Sequence, residues 1–67
     1  MSQSPLSPRS VAADLADLIN GSPCHGEVAY SAGCADDRLL VTVTDDRGTT
    51  CCFELTVRAT ALHPAKD

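Results

Sequence analysis

Large apolar side chains are scarce in this chain, and their scarcity limits what it can fold into. Among 67 residues there are one Phe, one Tyr and no Trp, while 43% of the chain is apolar and much of that fraction is alanine. Aromatic side chains bury the most area per residue, so the predicted core is thin. Chains of this size usually need a disulfide, a metal or a partner subunit to fold stably. We therefore expect one domain, without a large catalytic cleft or a nucleotide-binding fold.

The charge balance excludes one broad class of partner. Nine acidic and five basic residues give a net charge of −4. Phosphate binding needs a basic surface, so nucleic acid is not expected as a partner. No stretch approaches the ~18 apolar residues of a membrane span, and the N-terminus lacks the basic and apolar regions of a signal peptide. We expect a small acidic protein of the cytoplasm with no membrane partner.

One helix is predicted from Pro8 to Asn20. Ser7 is a good N-cap, and Pro8 falls at the first helical position, where its missing N–H costs nothing. An apolar stripe follows at helical spacing. It consists of Val11, Leu15, Leu18 and Ile19. Gly21 is expected to end the helix in a left-handed conformation.

Downstream of the helix, apolar residues recur at every second position, which predicts three half-buried strands. The residues expected on the helix-facing side are Val28, Tyr30, Leu39, Val41, Val43, Cys51, Phe53, Leu55 and Val57. A loop from Gly33 to Asp37 joins the first two strands. The predicted fold class is α+β, with the N-terminal helix packed on a three-stranded antiparallel β-meander (αβββ). Residues 1–6 are then a flexible N-terminal segment, 7–60 the single αβββ domain and 61–67 a C-terminal tail.

The turn between the last two strands follows from matching their faces. A four-residue loop from Asp45 to Gly48 would place Val43 opposite Thr50 and so mix core with solvent. A three-residue loop, Asp46-Arg47-Gly48, is consistent on both faces. It pairs Val43 with Cys51, Val41 with Phe53 and Leu39 with Leu55. This arrangement is a type I turn with a glycine bulge, so we predict a positive φ at Gly48.

Four cysteines in so short a chain need an explanation. No Cys-x₂₋₄-Cys knuckle is present, so the zinc signal is weak. Cys51 and Cys52 are neighbours on a strand and point to opposite faces, which makes Cys51 an expected small core residue and Cys52 an outer-face residue. A disulfide from Cys24 to either of them stays open in geometry, although a reducing cytoplasm argues against it.

The sequence predicts neither an enzyme nor a bound cofactor. Cys24-His25 places a nucleophile beside a base, but the fold normally brings catalytic Cys and His together from separate positions. No metal site is expected. The residues that come nearest to one are Cys24, His25 and Cys52. The acidic doublets Asp36-Asp37 and Asp45-Asp46 are expected to serve turns, because Asp side chains bond to their own backbone.

The outer face of the sheet is the predicted interaction surface, because it is mostly uncharged and rich in threonine. Its residues are Leu40, Thr42, Thr44, Thr50, Cys52, Glu54, Thr56 and Arg58. The thin core supports this prediction, since a homodimer would bury more area. An exposed edge strand is a second option, because it can pair with another chain. The alternative is that threonine merely satisfies β-propensity on a solvated face.

The leading functional hypothesis is a small cytoplasmic protein–protein interaction module. It would be an inhibitor, adaptor or regulator, homodimeric, and would act by surface occlusion through its sheet face or edge. A second hypothesis is a thiol- or metal-responsive module that uses Cys24, His25 and Cys52. A third is a structural or assembly subunit of a larger complex, such as a phage complex. The residues do not identify the protein partner.

Overall fold

The chain forms one helix and one antiparallel sheet. The computed structural model describes residues 5–65. Its elements are α1 (Pro8–Gly21), β1 (Cys24–His25), β2 (Val28–Ala35), β3 (Arg38–Thr44) and β4 (Thr50–Thr56). The strands lie in the order β1-β2-β3-β4, and each pairs antiparallel with the next. The predicted α+β class is confirmed, whereas the prediction of three strands was wrong by one short strand.

The additional strand, β1, pairs with the start of β2. Cys24 lies opposite Ala29 and His25 lies opposite Val28. The chain reverses at Gly26, whose φ of +64° costs glycine little because it has no Cβ. A two-residue strand is too short to produce an alternating pattern, which explains why periodicity did not indicate it.

The start of α1 is confirmed as predicted, and its end differs by one residue. The Ser7 hydroxyl accepts a hydrogen bond from the Ser10 N–H at 3.2 Å, and Pro8 is the first helical residue. The helix continues through Gly21, where the Ser22 N–H donates to the Ile19 carbonyl at 3.2 Å. The prediction of a left-handed Gly21 was wrong, because the helix terminates one residue later without such a conformation.

The hairpin between β3 and β4 has the predicted register. Leu39 pairs with Leu55, Val41 with Phe53 and Val43 with Cys51, and Gly48 has a φ of +86°. The Asp45 carboxylate stabilises the turn by accepting hydrogen bonds from the N–H groups of Arg47 and Thr49, both at 2.9 Å. The expectation that this acidic residue serves the turn is therefore confirmed.

The turn between β2 and β3 is tighter than predicted. The expected loop from Gly33 to Asp37 was wrong, because β2 continues through Ala35 and the chain reverses at Asp36. Asp36 has a φ of +57°, a conformation that Asp tolerates better than most residues. Cys34 consequently lies in β2, paired with Leu39, and not in a loop.

The core lies between α1 and the middle of the sheet and is built from small and branched residues. Ala12 and Ala16 of the helix are 0% and 5% exposed, and Leu39 and Val41 of β3 are 4% and 8% exposed. Four residues pack around this centre. They are Ile19, Tyr30, Ala32 and Val43. The small alanines let the helix lie close to the sheet, so the core is as thin as the composition predicts.

The helix presents a different stripe to the sheet from the predicted one. Leu18 was expected in the core and is 69% exposed, while Leu15 is 37% exposed. The line that faces the sheet runs through Ala12, Ala16 and Ile19, at helical spacing. The larger leucines lie on the flank of the helix, because close approach to the sheet requires the smallest side chains beneath it.

The Asn20 side chain attaches the helix to the edge of β2 that points away from β3. Its amide nitrogen donates to the Ala32 carbonyl at 2.7 Å, and its amide oxygen accepts from the Ala32 N–H at 2.9 Å. The side chain thus imitates one residue of a neighbouring strand. As a result α1 packs against β2 and β3, and within the described residues it does not pack against β4.

Replacing this amide should destabilise the fold. We expect Asn20→Ala to lower the free energy of unfolding by about 1–2 kcal/mol, because two hydrogen bonds to Ala32 are lost. Asp17→Ala is the matched control, since it brings a similar gain in helix propensity on an exposed site of the same helix. Urea denaturation of both variants measures the difference. Equal effects would contradict a structural role for the amide.

A side chain at the glycine of the β3–β4 turn should destabilise the fold through the backbone. We expect Gly48→Ala to destabilise the fold by about 1–2 kcal/mol, because an L residue at positive φ is strained. Gly33→Ala is the control. A Cβ at either glycine meets nothing within 4 Å, and of these two only Gly48 has a positive φ. Thermal denaturation should therefore show a loss for Gly48→Ala alone, and equal effects would exclude the backbone explanation.

Candidate functional site

The predicted interface residues lie on the outer face of β3 and β4, except Arg58, which follows β4. Thr42 and Thr44 are half-buried and the other members of the set are exposed, with Leu40 at 45%. Most of their polar groups have a partner in the adjacent strand. The cross-strand pairs are Thr44–Thr50 at 3.0 Å, Thr42–Cys52 at 3.8 Å and Arg38–Glu54 at 3.4 Å. This face is therefore a row of paired polar side chains that surrounds one leucine.

The opposite face of β4 is apolar and uncovered. Phe53 is 51% exposed and Leu55 is 48% exposed, and Cys51 is also exposed. We call these three residues the β4 strip. The prediction of Cys51 as a core residue was wrong, because α1 does not reach β4. Strand alternation identified the face correctly, but not whether another element lies on it.

Simple dimensions account for the uncovered strip. An α-helix with its side chains is about 10 Å wide, and adjacent strands are about 4.8 Å apart, so one helix covers about two strands. Asn20 holds α1 over β2, which leaves β4 beyond its reach. The ratio of one helix to three long strands was a signal in the sequence that could have revealed this gap.

Phe53 and Leu55 of the β4 strip form one side of an apolar groove. The groove is lined by Ile19, Tyr30, Leu39, Val41, Val43, Phe53, Glu54 and Leu55. Leu15 and Leu18 lie on the flank of α1 opposite Asn20, which places them on the side of the helix towards β4. The groove thus combines aromatic and branched side chains, a composition suited to an apolar segment of another protein.

The two edges of the sheet differ in accessibility. On the β2 side, β1 pairs with Val28 and Ala29, and the Pro23 carbonyl accepts a hydrogen bond from the Tyr30 N–H. The Asn20 side-chain amide bonds to the backbone N–H and C=O groups of Ala32. On the other side, β4 is seven residues long, and no described strand pairs with its outer edge. Backbone groups on such an edge can pair with a strand of another chain.

The structure separates the residues considered for metal or thiol chemistry. Cys24 and His25 lie in β1 and Cys52 in β4, three strand spacings or about 14 Å apart. The disulfide from Cys24 to Cys51 or Cys52, left open by the sequence, is incompatible with that distance. All four cysteines are free and exposed. Among residues 5–65, no group of three or more His, Cys, Asp or Glu side chains could hold a metal ion.

A smaller hollow lies at the other end of the helix. It is lined by Arg9, Ser10, Ala13, Asp14, Cys34 and Asp36. Arg9 and Asp36 form an exposed ion pair across it at 3.7 Å. Exposed pairs of this kind contribute little to stability.

Comparison with protein-family models, with curated proteins and with solved structures finds no match for this chain. In residues 5–65 no helix is long and apolar enough to cross a bilayer. The candidate site therefore rests on geometry: a surface formed by the β4 strip, its groove and the adjoining strand edge.

The uncovered position of β4 should be visible in the stability of alanine variants. Leu39 and Leu55 face each other across β3 and β4, yet they are 4% and 48% exposed. We expect Leu39→Ala to cost about 2–4 kcal/mol, as for a buried leucine, and Leu55→Ala to cost about 1 kcal/mol. Urea denaturation of the monomeric chain measures both, and equal losses would show that the strip is covered in solution.

Proposed function

We propose that this chain is a small, non-enzymatic protein-interaction module of the cytoplasm. It acts as an inhibitor, adaptor or regulator by occluding a surface of its partner with β4. The observation that carries the proposal is the exposure of the whole strand, with Phe53 and Leu55 about half exposed beside an apolar groove.

The composition of the β4 strip supports this role. A monomeric protein rarely leaves a contiguous apolar surface open, and such surfaces usually mark sites for other proteins. Aromatic residues near the centre of an interface often contribute most of its binding energy. Phe53 lies at the middle of β4 and next to the groove, so it is the expected anchor for a partner.

The outer face is a less suitable primary surface than the sequence suggests. Most of its polar side chains have partners across the strands, and the desolvation of these paired groups would bring little net gain. Its apolar contribution comes mainly from Leu40. We therefore assign the outer-face residues a peripheral part in binding, with the β4 strip at the centre.

The free edge of β4 is a second binding surface, separate from the strip, and it can take one strand of another chain. A partner strand added to a sheet edge gains affinity from main-chain hydrogen bonds and specificity from alternate side chains. On β4 those side chains are the apolar strip on one face and a polar row on the other. A segment that alternates apolar and polar residues matches both faces.

A pair of charge substitutions tests the proposal. Wild-type chain, Phe53→Lys and Leu40→Lys are immobilised and exposed to extract of the source organism. A protein captured by the wild type is then purified, and its affinity is measured by calorimetry. We expect Phe53→Lys to weaken binding by about 30-fold or more, as for a central aromatic anchor, and Leu40→Lys to change it little.

Folding controls make the result interpretable. Both lysine variants are checked by circular dichroism, and Phe53→Thr replaces Phe53→Lys if the charge unfolds the chain, because threonine keeps β-propensity. Loss of binding for Leu40→Lys with retention for the Phe53 variants would overturn the assignment and support the outer face. Capture that is insensitive to every substitution on β4 would refute the proposed mechanism.

A further inference from the structure

We propose that the free edge of β4 binds β4 of a second copy of this chain, antiparallel, with a two-fold axis at Phe53. The inference rests on the proposed function insofar as both use the exposed β4 surface, and it identifies a self-partner for the edge. The two sheets would join into one, with both helices on the same side.

The direction of the backbone groups on β4 follows from its pairing with β3. Two hydrogen bonds bracket the strand: the Asp45 N–H donates to the Thr49 carbonyl, and the Val57 N–H donates to the Asp37 carbonyl. Bonded positions alternate in an antiparallel ladder, so odd-numbered residues of β4 bond to β3. The outward-facing N–H and C=O groups therefore belong to the even-numbered residues, which are Thr50, Cys52, Glu54 and Thr56.

A two-fold pairing must bring these even-numbered residues opposite one another. With the axis at Phe53, Thr50 lies opposite Thr56 of the second copy and Cys52 opposite Glu54, so every outward group on the strand is bonded. The apolar strips share one face, with Phe53 against Phe53 at the axis, a favourable aromatic pair. Odd-numbered residues fall at the non-bonded positions, where strands approach most closely.

Pairings with the two-fold axis one residue away from Phe53 are less favourable. An axis at Glu54 sets two carboxylates directly opposite each other, which is destabilising. An axis at Cys52 leaves Thr56 beyond the end of the partner strand, so fewer hydrogen bonds form. The register at Phe53 avoids both faults because it uses the full length of β4.

Charge complementarity at both ends of the joint ladder supports a second copy as the occupant. Val57 continues the line of β4 by bonding to Asp37. In the Phe53 register the next residue, Arg58, lies opposite Gly48 of the second copy. Gly48 belongs to a turn that carries Asp45, Asp46 and Arg47 and is net acidic. The arginine of each copy thus lies beside an acidic turn of the other.

The other long edge is not available for this contact. On β2 the backbone positions at Tyr30 and Ala32 are already bonded to Pro23 and Asn20. Strand addition within the described part of the chain is therefore directed to β4, and its self-complementary pattern closes as a dimer, since a two-fold contact uses the same edge in both copies.

Sedimentation of the purified chain under reducing conditions tests the dimer without any other protein. We expect concentration-dependent dimerisation, weakened about 100-fold or more by Phe53→Lys, which sets like charges at the axis. Cys52→Pro should also abolish it, because proline removes an outward N–H and leaves the β3 ladder intact. Cys52→Thr and Leu40→Lys are folded controls expected to dimerise. A monomer from micromolar to millimolar concentration, a dimer lost only in Leu40→Lys, or one unaffected by Phe53→Lys overturns the proposal.

Mild oxidation tests the register, with Cys24 and Cys34 replaced by serine. The Phe53 axis places Leu55 opposite Cys51 of the second copy, so Leu55→Cys should give a disulfide to Cys51 that peptide mapping identifies. It keeps the two Cys52 residues about 8 Å apart, too far for a disulfide. Rapid linkage of Cys52 to Cys52 would overturn the register.

A monomeric chain whose Phe53 still binds a captured protein would refute the dimer and leave the proposed function intact.

Discussion

A helix can cover only about two strands of a sheet, and the exposed surface of this protein depends on which two. The Asn20 amide determines which strands are covered, because it forms hydrogen bonds to both backbone groups of Ala32 on β2. It places α1 over β2 and β3 and also closes the β2 edge. The same two hydrogen bonds therefore leave Phe53 on an open face and β4 with an open edge.

The part of the fold that could be predicted is the part determined by neighbouring residues. The cap at Ser7 and the turn at Gly48 each follow from local backbone chemistry. The β3–β4 register follows from matching faces across a short turn, and all three predicted pairs are present. β1 was not predicted because a strand of two residues shows no periodicity. The Asp36 turn was not predicted because an aspartate adopts the positive φ that is more typical of glycine.

The candidate site was harder to predict, because it depends on how far a distant element reaches. Alternation assigns Cys51 and Phe53 to the helix-facing side, and the structure agrees. It cannot tell whether the helix extends over them. The apolar stripe of α1 predicted the wrong buried face for a related reason. It was built on large residues such as Leu18, whereas the helix approaches the sheet closely through Ala12 and Ala16. In α1 the small volume of Ala12 and Ala16 suits the face that meets the sheet, because interiors are closely packed.

The edge and the face of β4 offer two kinds of contact that do not compete. Edge pairing uses backbone groups in the plane of the sheet, whereas the strip projects perpendicular to it. In the proposed dimer the two strips adjoin between two flanking helices, so the apolar surface is doubled and not removed. A larger surface of this kind can hold a partner segment that one copy, with its thin core and single aromatic anchor at Phe53, would bind weakly. Self-association of the edge would in that case strengthen the occlusion that the face performs, because both copies contribute to one binding surface.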